Sequence, residues 1–381
     1  MVNLEVSYCG LILKNPILVA SGGITATLDH LKRAQENGAG AVVMKSYFEE
    51  KKYREDPTPS FKILRRKAGR LKADTLYSYE QASSFDKYSY AEEIKKAKEN
   101  LSIPIIASID CFNYEESIEV ANLFYEAGAD ALVVKGCPHG ELAMSGKSYE
   151  AVMLELLKGM KEKIKIPIIV KLLPQLSNPL KTSIKLERGG ADGLVLFNRF
   201  SGLDVDVDSE SPILHKGYAG HGGLWSIYYS LRWISEVYPK AKLSLCGSGG
   251  VFSGKDIVKY LLSGACCVAI CTSIILNGYE VIEKMKKELE NWMIDKGYNS
   301  INEFIGKAAE KIKGIDEIKR GREVVANIDQ DLCTSCGKCM RSCFHQAIKK
   351  ANTYYVDREK CVGCGLCEQV CPSSAIKMKK I

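Results

Sequence analysis

The sequence predicts an α/β architecture: a (β/α)8 barrel followed by a small cysteine-dense module. Three observations predict it. Eight short, largely β-branched runs recur through the first 300 residues, amphipathic helical stretches lie between them, and eight of the 15 cysteines crowd into residues 331–381.

The runs are Ile17–Ala20, Ala41–Lys45, Ile103–Ile109, Ala131–Lys135, Ile168–Leu172, Gly193–Phe197, Leu243–Gly247 and Val268–Cys271. Several are apolar throughout, as strands covered on both faces should be. Helical periods fall at Thr27–Asn37, Glu115–Ala127, Tyr149–Lys163, Trp225–Val237, Lys255–Leu262 and Tyr279–Lys296. Three joins, Asn37-Gly38-Ala39-Gly40, Ala127-Gly128-Ala129-Asp130 and Gly189-Gly190-Ala191-Asp192, share one style, with Gly closing the helix in a left-handed cap. An open doubly wound sheet is the alternative. Against it, no G-x-G-x-x-G follows the first run, and Ser21-Gly22-Gly23 is too short for a dinucleotide fingerprint. The barrel is expected over residues 1–300. A helical linker is expected over 301–330, with its helix at Ile301–Ile312, and the cysteine module over 331–381.

Composition narrows the class. The chain is 46% hydrophobic and 26% charged, which excludes disorder and fibre for most of its length. The net charge of +7 is spread over the chain and gives no footprint for nucleic acid. Met1-Val2-Asn3-Leu4-Glu5 has no basic region before an apolar run, so no signal peptide is expected. The longest uncharged stretch, Tyr260–Tyr279, is broken by Ser263, Gly264, Thr272 and Ser273 and reads as a helix end plus a buried strand, not a membrane span. A reducing cytoplasm is expected, where many cysteines mean metal or redox use.

The cysteines carry the strongest signal. Cys333-x2-Cys336-x2-Cys339-x3-Cys343 and Cys361-x2-Cys364-x2-Cys367-x3-Cys371-Pro372 both follow C-x2-C-x2-C-x3-C, the spacing of bacterial two-cluster ferredoxins. The tight triplet supplies three thiolates to one [4Fe-4S] cubane, and the fourth cysteine ligates the other. One cluster is therefore expected on Cys333, Cys336, Cys339 and Cys371, and the other on Cys361, Cys364, Cys367 and Cys343. A zinc module would separate two Cys pairs by a longer loop. Clusters move single electrons, so something in the barrel must use them.

Barrel active sites lie at the C-terminal ends of strands. The seventh run ends in Gly249-Gly250 and the eighth in Cys271-Thr272-Ser273, backbone N–H groups and hydroxyls that suit a phosphate. Lys45 and Lys171 at strand ends call for an anionic or electron-rich partner. Asn198 is a polar group facing the cleft, and Cys137 on the fourth loop can act as acid or base. More bland readings fit other features. Residues 49–56 read as a solvated charged surface, Trp225, Tyr228 and Tyr229 as helix packing, His139 as a loop hydrogen-bonder, and Cys266 and Cys267 as small core residues.

These residues resemble a known family. Asn15-Pro16-Ile17, Val43-Met44-Lys45-Ser46, Ile105–Ile109, Cys137-Pro138-His139-Gly140, Val170-Lys171-Leu172, Asn198 and Gly249-Gly250-Val251 are similar to the FMN barrel of dihydroorotate dehydrogenases. With its tail, the chain resembles the dihydropyrimidine dehydrogenases over nearly its whole length. The resemblance implies FMN held by Ala20, Ser21, Gly22, Lys45, Ser46, Lys171, Gly249, Gly250, Cys271 and Thr272. It implies Cys137 as the proton-exchanging residue, and substrate contacts at Ser78, Glu80, Asn198 and Arg199. The activity implied is interconversion of a pyrimidine-like ring and its 5,6-dihydro form. Three positions depart from the family: Val134 and Ser78 stand where it has Asn, and Arg199 where it has Thr or Ser. Arg199 suits a carboxylate, so another unsaturated substrate, carboxylate-bearing or heterocyclic, is an alternative, and an electron-relay subunit is a third. With no NAD(P)H or FAD module recognised in the chain, a separate partner is expected, an NAD(P)H-linked flavoprotein subunit or a ferredoxin. A homo- or hetero-oligomer is expected as well.

Overall fold

The computed structural model describes residues 2–48, 50–68, 71–79, 83–111, 113–136 and 146–381. They form two compact units, Met1–Ile312 and Lys313–Ile381.

The first unit is the barrel. Its strands are β1 (Ile17–Val19), β2 (Ala41–Val43), β3 (Ile105–Cys111), β4 (Ala131–Gly136), β5 (Ile168–Lys171), β6 (Gly193–Leu196), β7 (Ser244–Ser248) and β8 (Cys267–Ile270). Neighbours in sequence pair in parallel, β8 pairs with β1, and β3 pairs with β4, so the ring closes. All eight expected runs are strands, with ends shifted by one or two residues. The largest shift has a cause: Pro104 has no N–H to give the ladder, so β3 begins after it. Val, Ile, Leu and Ala fill these strands because helices cover their outer face and neighbouring strands their inner one.

The helices are α1 (Leu28–Glu36), α2 (Lys87–Asn100), α3 (Tyr114–Glu126), α4 (Tyr149–Lys163), α5 (Pro179–Arg188), α6 (Ile227–Val237), α7 (Gly254–Leu262), α8 (Thr272–Asn277) and α9 (Val281–Lys296). Side-chain oxygens of Asp86, Asn113, Ser148, Asn178 and Ser253 accept the first free N–H groups of five of them. Sequence periodicity did not reveal α2, α5 or α8. The buried side of α2 is Tyr90, Ala91, Ile94 and Ala97 among charges, and that of α5 is Pro179, Thr182, Ser183 and Leu186, too polar to register as apolar. The left-handed glycines at the joins are Gly38 (φ +91), Gly128 (φ +95) and Gly190 (φ +92).

An antiparallel sheet in the order Phe200–Gly202, Ala219–Gly222, Thr75–Ser78, Phe61–Leu64 was not foreseen. Ser78 pairs with both Gly220 and Phe61, so segments after β2 and after β6 meet. Of the 49–56 stretch, the described residues 50–56 are not simply a solvated face: Asp56 pairs with Lys45 at 3.0 Å, and Arg54 donates to the Phe48 carbonyl at 3.4 Å. Tyr228 does not pack but is exposed, whereas Tyr229 packs against Phe197 and Phe200. Ile301–Ile312 folds as two 3-10 turns, Ile301–Glu303 and Ala309–Lys311, instead of one helix. The Gly306 and Ala308 N–H groups donate to Leu261 and Leu262, which ties this stretch to the barrel. Residues 301–330, read from the sequence as a linker, are thus divided between the units.

The second unit pairs Val324–Ile328 with Ile376–Lys380 and Ile348–Lys350 with Tyr354–Val356. Two short helices, Lys338–Arg341 and Leu366–Val370, each carry the third cysteine of a triplet, Cys339 and Cys367. Val325, Ala347, Ile348, Tyr354, Ala375 and Ile376 make its small core with the buried cysteines. No helix among the described residues is long and apolar enough to cross a membrane.

The barrel rests on its helix–strand interface. Phe124 is fully buried, stacked on Tyr90 with ring centroids 4.4 Å apart and edge-on to Tyr47. Phe124→Ala is expected to cost about 3–5 kcal/mol in denaturant unfolding of the barrel.

Candidate active site

Because the strands are parallel, their C-terminal ends open on one side, and there the ring surrounds a cavity open to solvent. Ala20, Ser21 and Gly22 enter from β1, Ser46 from beyond β2, and Lys171 from β5. Asn198 and Arg199 follow β6, Gly249 and Gly250 follow β7, and Cys271 and Thr272 follow β8. The antiparallel sheet adds Leu76, Ser78, Phe200, Gly220 and His221. Of the expected barrel residues, Cys137 and Glu80 lie outside the described residues, as does His139. Lys45 is not among the lining residues, its ammonium being held by Asp56.

One wall is a chain of hydroxyls. Ser21 and Ser46 lie 3.0 Å apart, and Ser46 lies 2.8 Å from the buried Ser108. The opposite rim is built from the turn after β7. Gly249 and Gly250 have φ of +101 and +69, and a Cβ on Gly250 would come within 2.7 Å of the Ile227 nitrogen. Glycine is therefore required there on two grounds, sign of φ and space. Tyr260 donates its hydroxyl to the Gly249 carbonyl at 2.6 Å and fixes the turn. Ser273 Oγ is buried with no hydrogen-bond partner among the described residues. A buried hydroxyl left alone is costly, so a ligand acceptor such as a phosphate oxygen fits this rim.

Charge is concentrated on the other side. Lys171 is pushed down to about 8 by burial and then by the nearby Lys135 ammonium, with Arg199 adding to the effect. A lysine so placed is stabilised by an anion. Arg199 donates to Ser78 Oγ at 2.8 Å and to the Ser78 carbonyl at 3.2 Å. The Asn198 N–H donates to the Leu172 carbonyl at 2.8 Å, which fixes the turn that presents this pair. Burial also pushes His221 down, with Tyr77 edge-on at 4.8 Å. Val134 is buried and is not among the lining residues, whereas its neighbour Lys135 lines the cavity. Sequence reasoning missed Lys135, although the strand alternation that places Lys171 inward applies to it equally.

The second unit contains two smaller cavities. One is lined by Cys333, Cys336, Cys339 and Cys371, the other by Cys343, Cys361, Cys364 and Cys367. Each thus draws three cysteines from one run and the fourth from the other. The fourth cysteines are equivalent: Cys343 Sγ accepts from the Ala347 N–H and Cys371 Sγ from the Ala375 N–H, both at 3.3 Å. Such N–H···S contacts favour a thiolate. Among the described residues no group of three or more His, Cys, Asp or Glu side chains is placed to hold one metal ion. Four cysteines around one cavity, three from one run and one from the other, fit the corners of a cubane. Gly363 has φ +74, and a Cβ there would lie 2.2 Å from the Val324 carbonyl, so the second triplet needs it.

Comparison with known proteins agrees with both units. The dihydroorotate dehydrogenase family profile matches residues 3–293, and the 4Fe-4S dicluster domain profile matches residues 326–378. The catalytic subunit of dihydroorotate dehydrogenase B (NAD(+)) from Pyrococcus abyssi is 31% identical over 309 residues, covering 80% of this chain and 99% of that one. The NAD-dependent dihydropyrimidine dehydrogenase subunit PreA of Escherichia coli K12 is 28% identical over 370 residues, 91% of this chain and 87% of that one. The Methanocaldococcus jannaschii dihydroorotate dehydrogenase B catalytic subunit is 29% identical over 316 residues, with 81% and 98% covered.

Two outcomes are expected from this geometry. Gly250→Ala should lower the flavin-to-protein ratio of the purified chain severalfold through strain at the rim, while the iron content stays unchanged. Cys371→Ala should lower iron from about eight to about four atoms per chain, the loss of one cubane.

Proposed function

The chain belongs to the dihydroorotate dehydrogenase family, and from that premise we propose that it interconverts a pyrimidine-like ring and its 5,6-dihydro form. It is an oxidoreductase, in which FMN and two [4Fe-4S] clusters are the cofactors of its two matched domains. The observation that carries the reading is one chain joining a lysine-bearing cavity at the barrel mouth to two four-cysteine cavities. Its relatives, dihydroorotate and dihydropyrimidine dehydrogenases, are both named for ring substrates.

Bound in the barrel, FMN supplies hydride exchange at one ring carbon, and the clusters supply single electrons. The chain supplies the rest. The turn at Gly249 and Gly250 with Thr272 and Ser273 holds the phosphate, Ala20, Ser21, Gly22, Ser46 and Cys271 line the ring system, and Lys171 faces it with a positive charge. Cys137 exchanges the proton at the neighbouring carbon, giving it as a thiol during reduction and taking it as a thiolate during oxidation. Asn198, with Ser78, Glu80 and Arg199, orients the substrate. The eight cysteines of the tail ligate the clusters, crossed between runs. Electrons are exchanged with a separate partner, an NAD(P)H-linked flavoprotein subunit or a ferredoxin, in the cytoplasm and within an oligomer. A second reading keeps this chemistry but gives the substrate a carboxylate, and the Arg199–Ser78 contact favours it.

The test is reoxidation of the reduced flavin by uracil, thymine and orotate under anaerobic conditions. At least one should reoxidise the unmodified chain. Cys137→Ala should slow that step by about 100-fold or more with flavin content retained. If none of the three reoxidises the unmodified chain, the proposed substrate class is wrong.

A further inference from the structure

Three charged residues on neighbouring strands have so far been given no joint role. Asp110 on β3 lies opposite Lys135 on β4, and Lys135 lies opposite Lys171 on β5. Residues in register on a parallel sheet point to the same face, and both lysines line the barrel cavity. Lys135 Nζ sits 2.5 Å from Asp110 Oδ2, with the two side chains 16% and 8% exposed. Its ammonium also lies 5.1 Å from the centroid of the Phe48 ring. A long side chain fixed by a buried carboxylate and an aromatic face is held at the wall and does not swing into solvent. Among the described residues the row holds one carboxylate and two ammonium groups, and no Asp or Glu lines the cavity. The charge of Lys135 acts against the protonated form of Lys171, and an anion at this wall relieves the repulsion.

We propose that Lys135, anchored by Asp110, is a specificity-determining residue: beside Lys171, which faces the flavin, it gives the cavity wall a positive charge that selects substrates carrying a carboxylate over neutral rings of the same shape. This rests on the reading that the cavity holds flavin and substrate together. The groups acting on Lys171 are Lys135 from β4, Arg199 after β6, Cys246 in β7 and Cys271 after β8. Burial is the main reason Lys171 is lowered to about 8, and Lys135 is the strongest charge that adds to it. An anion binds the protonated form, so its affinity should fall as pH rises through that value. Removing the positive charge at 135 should move the fall to higher pH.

The experiment uses the full chain with its flavin and clusters. Orotate, orotate methyl ester and uracil are titrated in, and binding is read from the change in flavin absorbance. In the unmodified chain orotate should bind at least about tenfold tighter than its ester, the factor expected of a hydrogen bond to a charged group. Lys135→Gln should remove most of that preference and raise the pH at which orotate binding is lost. Lys135→Arg should keep the preference within about threefold. If Lys135→Gln fails to hold flavin, the acid-to-ester ratio in the unmodified and Lys135→Arg chains decides. Equal binding of acid and ester in the unmodified chain overturns the inference, and so does a Lys135→Gln chain with an unchanged ratio and pH limit. No spectral change with any of the three ligands would instead overturn the function proposed above, and this inference with it.

Discussion

Closing eight parallel strands into a ring obliges every strand to end on the same side, and the chemistry of this protein depends on that constraint. The β3–β4 seam, paired from Ile106 and Ala131 to Cys111 and Gly136, completes the ring. Once it is closed, Ser21, Ser46, Lys171, Asn198, Gly249 and Thr272, scattered over some 250 positions, share one cavity. The apolar residues that cover these strands make the ring stable. They also leave its mouth dry enough for a hydroxyl chain and a lowered lysine to matter.

The mouth separates two tasks. On the side of β7 and β8 it offers glycine backbone and hydroxyls, with Tyr260 bracing the turn and Ser273 awaiting an acceptor. On the side of β3, β4 and β5 it offers fixed charge, arranged by strand register and not by flexible loops. The second unit solves a different problem with very little core. Its cysteines occupy a large share of the interior, so its folding is coupled to what they bind. Crossing the fourth cysteine between runs makes the two cavities depend on each other.

Much of this was legible in the residues. Each of the eight strands announced itself through a short, mostly buried apolar run, and the cysteine spacing separated the tail from the barrel. The mouth residues followed from the rule that strand ends carry function. Less legible were elements whose signal is tertiary. Helix α5 buries Thr182 and Ser183, and the antiparallel sheet joins segments more than 100 residues apart through short strands. Lys45 shows the limit of residue-by-residue inference: its position was right for a cofactor contact, but Asp56, eleven residues on, holds its ammonium. Lys135 shows the converse, a charge hidden inside a strand whose role appears only once its register with Asp110 and Lys171 is known.

The most direct measurement is an anaerobic dithionite titration of the purified full chain, followed by absorbance. Expected is uptake of about four electrons per chain, two at the flavin and one at each cubane, with flavin and cluster bands bleaching in one connected equilibrium. A chain that shows no flavin band, or whose clusters bleach while bound flavin stays oxidised and isolated from them, would contradict the coupling of barrel and tail on which this function depends.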